Sequence, residues 1–305
     1  MRFDAYQMVT DRICALLEQG IKPWAKPWSS ATTCAWSGSN GRVYSLLNQM
    51  LLADPEKKYK TIEELFADIR GEWVTFKHAQ ERGGNVKKGE KGRKVVFFKM
   101  LDKETGKKDA DGNEITESIP YLTVYTVFKI SQCDGLTQKY HTNDDQLYTF
   151  IADASAERVA AEYIQREGIT YRKTKGNKAY YRPSTDVVVT PIPEQFSDPA
   201  EYYSTLYHEL THSTGHPKRL NRITDSAAFG NEEYSREELV AEIGSAFLCA
   251  TLGVENNNTL LNSAAYIQNW LKALKNDKRM IVVASSRAEK AVRMILNIKE
   301  VRTDE

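Results

Sequence analysis

The segment Tyr202–Arg219, YYSTLYHELTHSTGHPKR, constrains this chain more than any other. It contains His208-Glu209-Leu210-Thr211-His212, an H-E-x-x-H pattern. Residues four apart in a helix lie on nearly one face, so His208 and His212 can present two imidazoles to a single metal ion. Glu209 lies beside them, in place to take a proton from a metal-bound water. The flanks specify the helix. Asp198-Pro199 reads as an N-cap followed by proline at the first helical position, and Gly215 and Pro217 read as the stop.

Two imidazoles leave a metal short of a protein ligand. The candidate segment for the third is Ser235–Gly253, SREELVAEIGSAFLCATLG, in which Leu239, Val240, Ile243, Ala246 and Phe247 form an apolar stripe at helical spacing. Glu238 and Glu242 are four apart on one face. Glu238 is assigned as the third ligand, and Glu242 as the acid that holds a ligating histidine by its other ring nitrogen. Two competing roles stay open. Ser235-Arg236-Glu237-Glu238 fits a capping box, which would turn Glu238 back to the backbone and leave Glu242 as the ligand. Glu232, Glu233 and Glu237 read as solvated acids. His216 follows His208 by eight residues, whereas a metzincin needs its third histidine at the tenth, where Lys218 stands. The expected metal is Zn²⁺, with Mn²⁺ or Co²⁺ as substitutes. Tyr207, Tyr234 and His216 are candidates for stabilising a developing oxyanion.

A chain of 305 residues has room for two domains, each with its own core. The split is expected at 1–140 and 150–305, with the polar stretch Asp134–Asp145 as linker. No apolar run approaches a membrane span, and MRFDAYQMVTDRICALLEQG lacks the basic start and small-residue cleavage site of a signal peptide. The four cysteines form no C-x-x-C, so reduced thiols and a cytoplasmic location are expected. The net charge of +1 says nothing about partners; its distribution does.

In the N-terminal half, helices are expected at Phe3–Glu18, Arg42–Ala53, Thr61–Ile69 and Trp73–Arg82. Ile21–Ser29, IKPWAKPWS, is a proline-stiffened segment whose Trp24 and Trp28 suit stacking on unpaired bases, or closing over the core. Asn85–Lys99, NVKKGEKGRKVVFFK, sets Lys87, Lys88, Lys91, Arg93 and Lys94 against one acid, Glu90, in a glycine-punctuated loop leading into a strand. Such a loop is a track for a phosphate backbone, or a solvated hairpin tip. Tyr44 and Lys77 complete the candidate DNA contacts. Asp102–Ser118 reads as an exposed hairpin loop and Tyr121–Ile130 as a strand. In the second half a helix at Ser155–Arg166, three short strands, the H-E-x-x-H helix, the Glu238 helix and two final helices are expected. The fold class is α+β.

These residues resemble the ArdC-type antirestriction proteins of conjugative plasmids over nearly the whole chain. The matching pieces are Lys26–Trp28, NGRVYSLLN, WVTFKHAQERGGNVKKGEKGRKVVFFK and VFKISQCDGL, then AYYRPSTD, YYSTLYHELTHSTGHPKRLNR, EELVAEIGSAFLCA and NWLKALKND. The resemblance implies an N-terminal domain that binds single-stranded DNA and a C-terminal zincin-like metallopeptidase domain. The role it implies is protection of incoming plasmid DNA from the recipient's restriction enzymes during conjugation, with restriction-system subunits as candidate protein partners. Two places depart from the family: the Tyr44–Asn48 stretch, where a glycine–isoleucine–asparagine step is expected, reads Ser45-Leu46-Leu47-Asn48, and Ser213 stands where an aromatic is expected after the second histidine. Two rival functions follow from the same residues: a DNA-coating protein whose metal is only structural, and a protease acting on DNA-bound proteins.

Overall fold

The computed structural model describes residues 4–24, 34–54, 56–60, 62–108, 114–139, 156–223, 232–254 and 264–298. The chain is α+β, as expected. Its first helix, α1 (Ala5–Glu18), is capped by the Asp4 carboxylate, which accepts from the N–H groups of Tyr6 and Gln7. Its buried face carries Val9, Ile13, Leu16 and Leu17.

A four-stranded sheet follows, in the order β1-β2-β5-β4, built from β1 (Ala35–Ser37), β2 (Gly71–Thr75), β4 (Arg93–Lys108) and β5 (Glu114–Lys129). β1 runs parallel to β2; the other pairings are antiparallel. Between β1 and β2 lie α2 (Leu46–Leu51) and α3 (Ile62–Ile69). Trp73 does not open a helix, as its sequence context implies. It is the centre of β2, 1% exposed, and the helix α4 (Phe76–Glu81) begins only after Thr75, whose hydroxyl accepts from the His78 N–H. Burial of an indole in the sheet overrides the helical spacing around it. α2 is likewise shorter than expected, starting after the Ser45 cap, so Tyr44 lies outside it. Asn48 on α2 exchanges two hydrogen bonds with the Val96 backbone, at 2.8 and 2.7 Å, and so satisfies the outer edge of β4.

Within the expected loop Asp102–Ser118, residues 102–108 and 114–118 are instead the far end of a β-ribbon, and residues 109–113 lie outside the described residues. β4 and β5 pair from Arg93↔Val127 out to Lys108↔Glu114. A small pair, β3 (Asn85–Val86) with β6 (Cys133–Asp134), closes the other end.

The second half opens with α5 (Ala156–Glu167) and a three-stranded sheet, β7-β9-β8, formed by β7 (Thr170–Thr174), β8 (Tyr180–Arg182) and β9 (Val187–Pro191). The H-E-x-x-H helix, α6 (Pro199–Ser213), packs on this sheet and against α7 (Glu232–Thr251). Two helices finish the chain: α8 (Ala264–Asn276) and α9 (Met280–Ile295).

The halves do not keep separate cores. One hydrophobic cluster joins Val9, Ile13, Trp24 and Leu51 to Leu239, Ile243, Trp270 and Ile281. A second cluster sits beneath α6, around Tyr163, Val188, Leu206 and Leu248. Among the described residues, no helix is long and apolar enough to cross a membrane.

Candidate metal centre and nucleic-acid face

α6 begins where its sequence says it must: Asp198 accepts from the Ala200 N–H at 2.8 Å, and Pro199 takes the first helical position. The helix then carries His208 and His212 one turn apart, with rings 4.7 Å between centroids and nearly perpendicular. Their Nε2 atoms converge to 3.1 Å. α7 brings in Glu238, whose carboxylate oxygens lie 3.5 Å from His208 Nε2 and 3.4 Å from His212 Nε2. Ligand bonds of about 2.1 Å in a tetrahedron leave ligand atoms about 3.4 Å apart, so the three separations suit one divalent ion with a position to spare. These three residues offer ligand atoms all within 4.8 Å of one another, and no other such group of histidines, cysteines and acids exists among the described residues.

Two local features make this convergence possible. α7 starts at Glu232, three residues before Ser235. Ser235 is therefore not a cap, Glu238 lies well inside the helix, and its carboxylate is turned to the histidines rather than to the backbone. Gly244 on α7 faces Thr211 on α6 so closely that a Cβ there would sit 2.7 Å from Thr211 Cγ2. The glycine lets the two helices approach at the level of the motif. Ser213, where an aromatic was expected, lies 3.1 Å from the Tyr163 hydroxyl and ties α6 to α5.

The acid that holds a histidine is Glu237, not Glu242. Glu237 Oε1 lies 3.4 Å from His212 Nδ1, the ring nitrogen turned away from the metal position. Arg222 donates to both Glu237 oxygens, at 2.8 and 3.1 Å, and also to Thr214 Oγ1 and the Thr211 carbonyl. Glu242 instead lies 3.7 Å from Lys22 Nζ, in a contact between the chain's two halves. Glu237 and Arg222 were missed because a run of acids, EE-YSREE, looks solvated in sequence. The usable signal is that Glu237 and Glu238 are successive: on a helix they point about 100° apart, so one can meet the ion while its neighbour reaches past the ligand to its far nitrogen.

Burial raises the Glu209 carboxyl pKa, partly offset by the neighbouring histidines. It is 7% exposed. Burial by itself lowers His212, but the Glu237 and Glu238 carboxylates outweigh it and push its pKa up to about 10. Burial by itself raises Glu238, and the two histidines outweigh that, holding its carboxyl well below the usual range. Of the oxyanion candidates, Tyr207 is fully buried and donates to the Ala156 carbonyl, so it faces away from chemistry. His216 Nδ1 accepts from the Lys218 N–H. Tyr234 alone stands at the centre: burial and the Glu238 carboxylate push its phenol up to about 12.

The expected DNA contacts separate into several kinds. Trp24 is 2% exposed and packs edge-on against Trp270 at 6.4 Å, so it is a core residue and not a stacking platform. Trp28 lies outside the described residues. Arg93 is committed within the fold, donating to the Leu52 carbonyl, pairing with Asp68 at 2.8 Å and lying over the Trp73 ring. Lys94 donates to Thr126 Oγ1 at 2.6 Å. Lys87, Lys88 and Lys91 are exposed in the loop, with Lys87 donating to the Ser131 carbonyl and Lys91 3.5 Å from Glu56. Lys77 is exposed and 3.6 Å from Glu81. Tyr44 lines a cleft of about 690 Å³ between the sheet, α2 and α9.

That cleft is bordered by aromatics overlooked in the sequence. The register pairs Phe97 with Thr123 and Val95 with Tyr125, so Phe97, Tyr121 and Tyr125 share one face of the ribbon. They are 53%, 51% and 48% exposed. The signal was present in YLTVYTV, whose alternation sends Tyr121 and Tyr125 to the face opposite Leu122 and Val124.

The model of the N-terminal domain of anti-restriction factor ArdC matches residues 3–128, and that of a zincin-like metallopeptidase matches residues 158–287. The chain is 34% identical over 98% of its length to a DNA primase TraC of Escherichia coli, but spans only 28% of that protein. It is 33% identical to the Sinorhizobium fredii protein y4eC, covering 94% of this chain and 89% of the relative. The manganese(II)-bound crystal structure of the antirestriction protein ArdC from plasmid R388 superposes with a TM-score of 0.69 at 37% identity, covering 97% of this chain and 98% of that one. The metal-free crystal structure of the same protein gives 0.65 at 38% identity, covering 96% and 97%. With both halves matched and nearly the whole length superposed, the chain belongs to the ArdC antirestriction family, with a zincin-like C-terminal domain.

Proposed function

We propose that this chain binds single-stranded DNA through its N-terminal half, within about residues 1–140, and carries a metal-dependent peptidase site in residues 150–305. Acting together, the two protect incoming plasmid DNA during conjugation. The observation that carries the peptidase reading is the meeting of His208, His212 and Glu238 beside a buried Glu209. The manganese-bound relative supports a divalent ion for this chain, and the two-imidazole, one-carboxylate donor set suits zinc.

A divalent ion there supplies a Lewis acid that polarises a peptide carbonyl and acidifies a water. The chain's own groups do the rest. Glu209 accepts the proton of the attacking water at its carboxylate and returns it to the leaving amine, a shuttle favoured by its raised pKa. Glu237, braced by Arg222, fixes the His212 ring so that Nε2 faces inward. Tyr234, next to Glu238, is the phenol closest in role to an oxyanion donor.

Glu209→Gln and His208→Ala separate the functions. Mass spectrometry of bound metal should find full occupancy in Glu209→Gln and a loss in His208→Ala; equal metal in all three proteins would remove the centre. Cells carrying Glu209→Gln should lose protection of transferred DNA. Intact protection would instead assign the role to DNA coating alone, with a structural metal.

A further inference from the structure

We propose that the cleft between the β4–β5 sheet, the Tyr44 segment and α9 holds an unstacked base of single-stranded nucleic acid, and that the peptidase half supplies one of its walls. This deepens, and rests on, the single-strand reading above.

Four observations carry it. First, the exposed rings of Phe97, Tyr121 and Tyr125 form a diagonal ladder on one sheet face, a surface that water disfavours and that flat bases cover. Phe97 and Tyr125 also line the cleft, so the ladder leads into it. Second, α9 contributes Val282, Ser285, Ser286 and Glu289 to the lining. Ser285 is 1% exposed and its hydroxyl is a buried polar atom with no hydrogen-bond partner. Such an orphan costs stability, and it lies just beneath the α9 side of the lining. Third, the lining combines hydroxyls, from Ser37, Ser39 and Ser286, with the Glu289 carboxylate, which accepts from exocyclic amino groups such as that of cytosine. Fourth, the charge is complementary. Arg42 is exposed on the rim, and the Lys87–Lys91 loop leads into β4, whose first residue, Arg93, is about 13 Å along the strand from Phe97. A chain of phosphates can follow the cations while a base turns in between the rings.

The wall donated by α9 distinguishes this arrangement from a platform on the N-terminal half. α9 also packs along α7, the helix of Glu237 and Glu238, so the base cleft and the metal centre share one helix pair.

The test is fluorescence anisotropy on the full chain with labelled oligodeoxycytidine and an abasic strand of equal length. The wild type should prefer the base-bearing strand. Phe97→Ala/Tyr125→Ala should lose about ten-fold in affinity or more, falling to the abasic level, with an unchanged salt slope because no phosphate contact is removed. Ser286→Trp, which fills the cleft from α9, should lose about as much. Both changes are at half-exposed or part-exposed sites, and unaltered metal uptake and melting confirm the fold. Variants that bind like the wild type, while the wild type still prefers bases, overturn the cleft but leave single-strand binding standing. A loss in the double variant without one in Ser286→Trp overturns the two-walled site. No binding of any single strand by the wild type overturns the reading beneath it.

Discussion

At the scale of single residues, the candidate metal centre is organised by an acid outside the proposed ligand set. Glu237 meets His212 Nδ1 and is itself gripped by Arg222, whose side chain is 5% exposed. Removing such an outer partner typically costs 10–100-fold in metal affinity. Glu237→Gln keeps the shape but weakens the acceptor, and titration calorimetry should read a loss of about ten-fold with the three ligands in place. A second ion pair lies near the same helix end. Burial alone would raise the Asp186 carboxyl, but the Arg219 guanidinium, at 3.0 and 2.5 Å, and the Tyr181 hydroxyl hold it below the ordinary value. A carboxyl depressed in the folded state contributes stability that is complete above its unfolded pKa, near 3.9, and is lost as pH falls through the folded value. Urea melts between about pH 5 and pH 2 should therefore show a steep loss in the wild type and a shallower one in Asp186→Asn.

At the scale of elements, the site depends on how closely two helices can lie. Gly244 is the contact that permits it, because Thr211 opposite is fully buried and its hydroxyl is committed to the Tyr207 carbonyl at 2.7 Å. A side chain at 244 gains helix propensity, about 1 kcal/mol for alanine, and loses about 1–3 kcal/mol to overpacking. Alanine should fall near balance or slightly below. Valine, with more volume and no propensity advantage over alanine, should lower the melting temperature and, by moving Glu238, weaken metal binding more than Glu237→Gln does. Equal metal affinity in Gly244→Val and the wild type would show that the α6–α7 spacing does not set the ligand geometry. The elements also show where sequence patterns mislead. Trp73 sits in a helix-like context yet forms the middle of β2, because the sheet needs an indole to bury more than the segment needs to be helical. Within the turn-rich DKETGKKDADGNEITES, residues 102–108 and 114–118 extend β4 and β5, because the two strands satisfy each other's backbone groups out to Lys108↔Glu114.

At the scale of the whole molecule, the halves that two family models recognise separately are not separately packed. α1 and α2 share a core with α7, α8 and α9, and Lys22 reaches across to Glu242. A fragment of residues 1–140 would leave Val9, Ile13, Leu51 and Trp24 without the partners that Ile243, Trp270 and Ile281 provide. We expect it to bind a hydrophobic dye and to melt without a cooperative transition, in contrast to the full chain. A sharp calorimetric transition in the fragment would assign the N-terminal half its own sufficient core.

The sequence by itself determined the parts that depend on local spacing. A cap, a proline and a four-residue interval place two imidazoles and Glu209 on one turn of α6, and the alternation in YLTVYTV puts two tyrosines on one face of a strand. Helical and extended backbones have fixed periods, so these relations need no knowledge of the rest of the chain. Tertiary structure alone decided which of several acids would serve each role, that Trp24 would be sealed in the core rather than offered to a ligand, and that α9 would close the cleft beside Tyr44. Those outcomes turn on where α7 begins, how near Gly244 lets it come to α6, and how elements distant along the chain bury one another, and none of these is a property of a short stretch of residues.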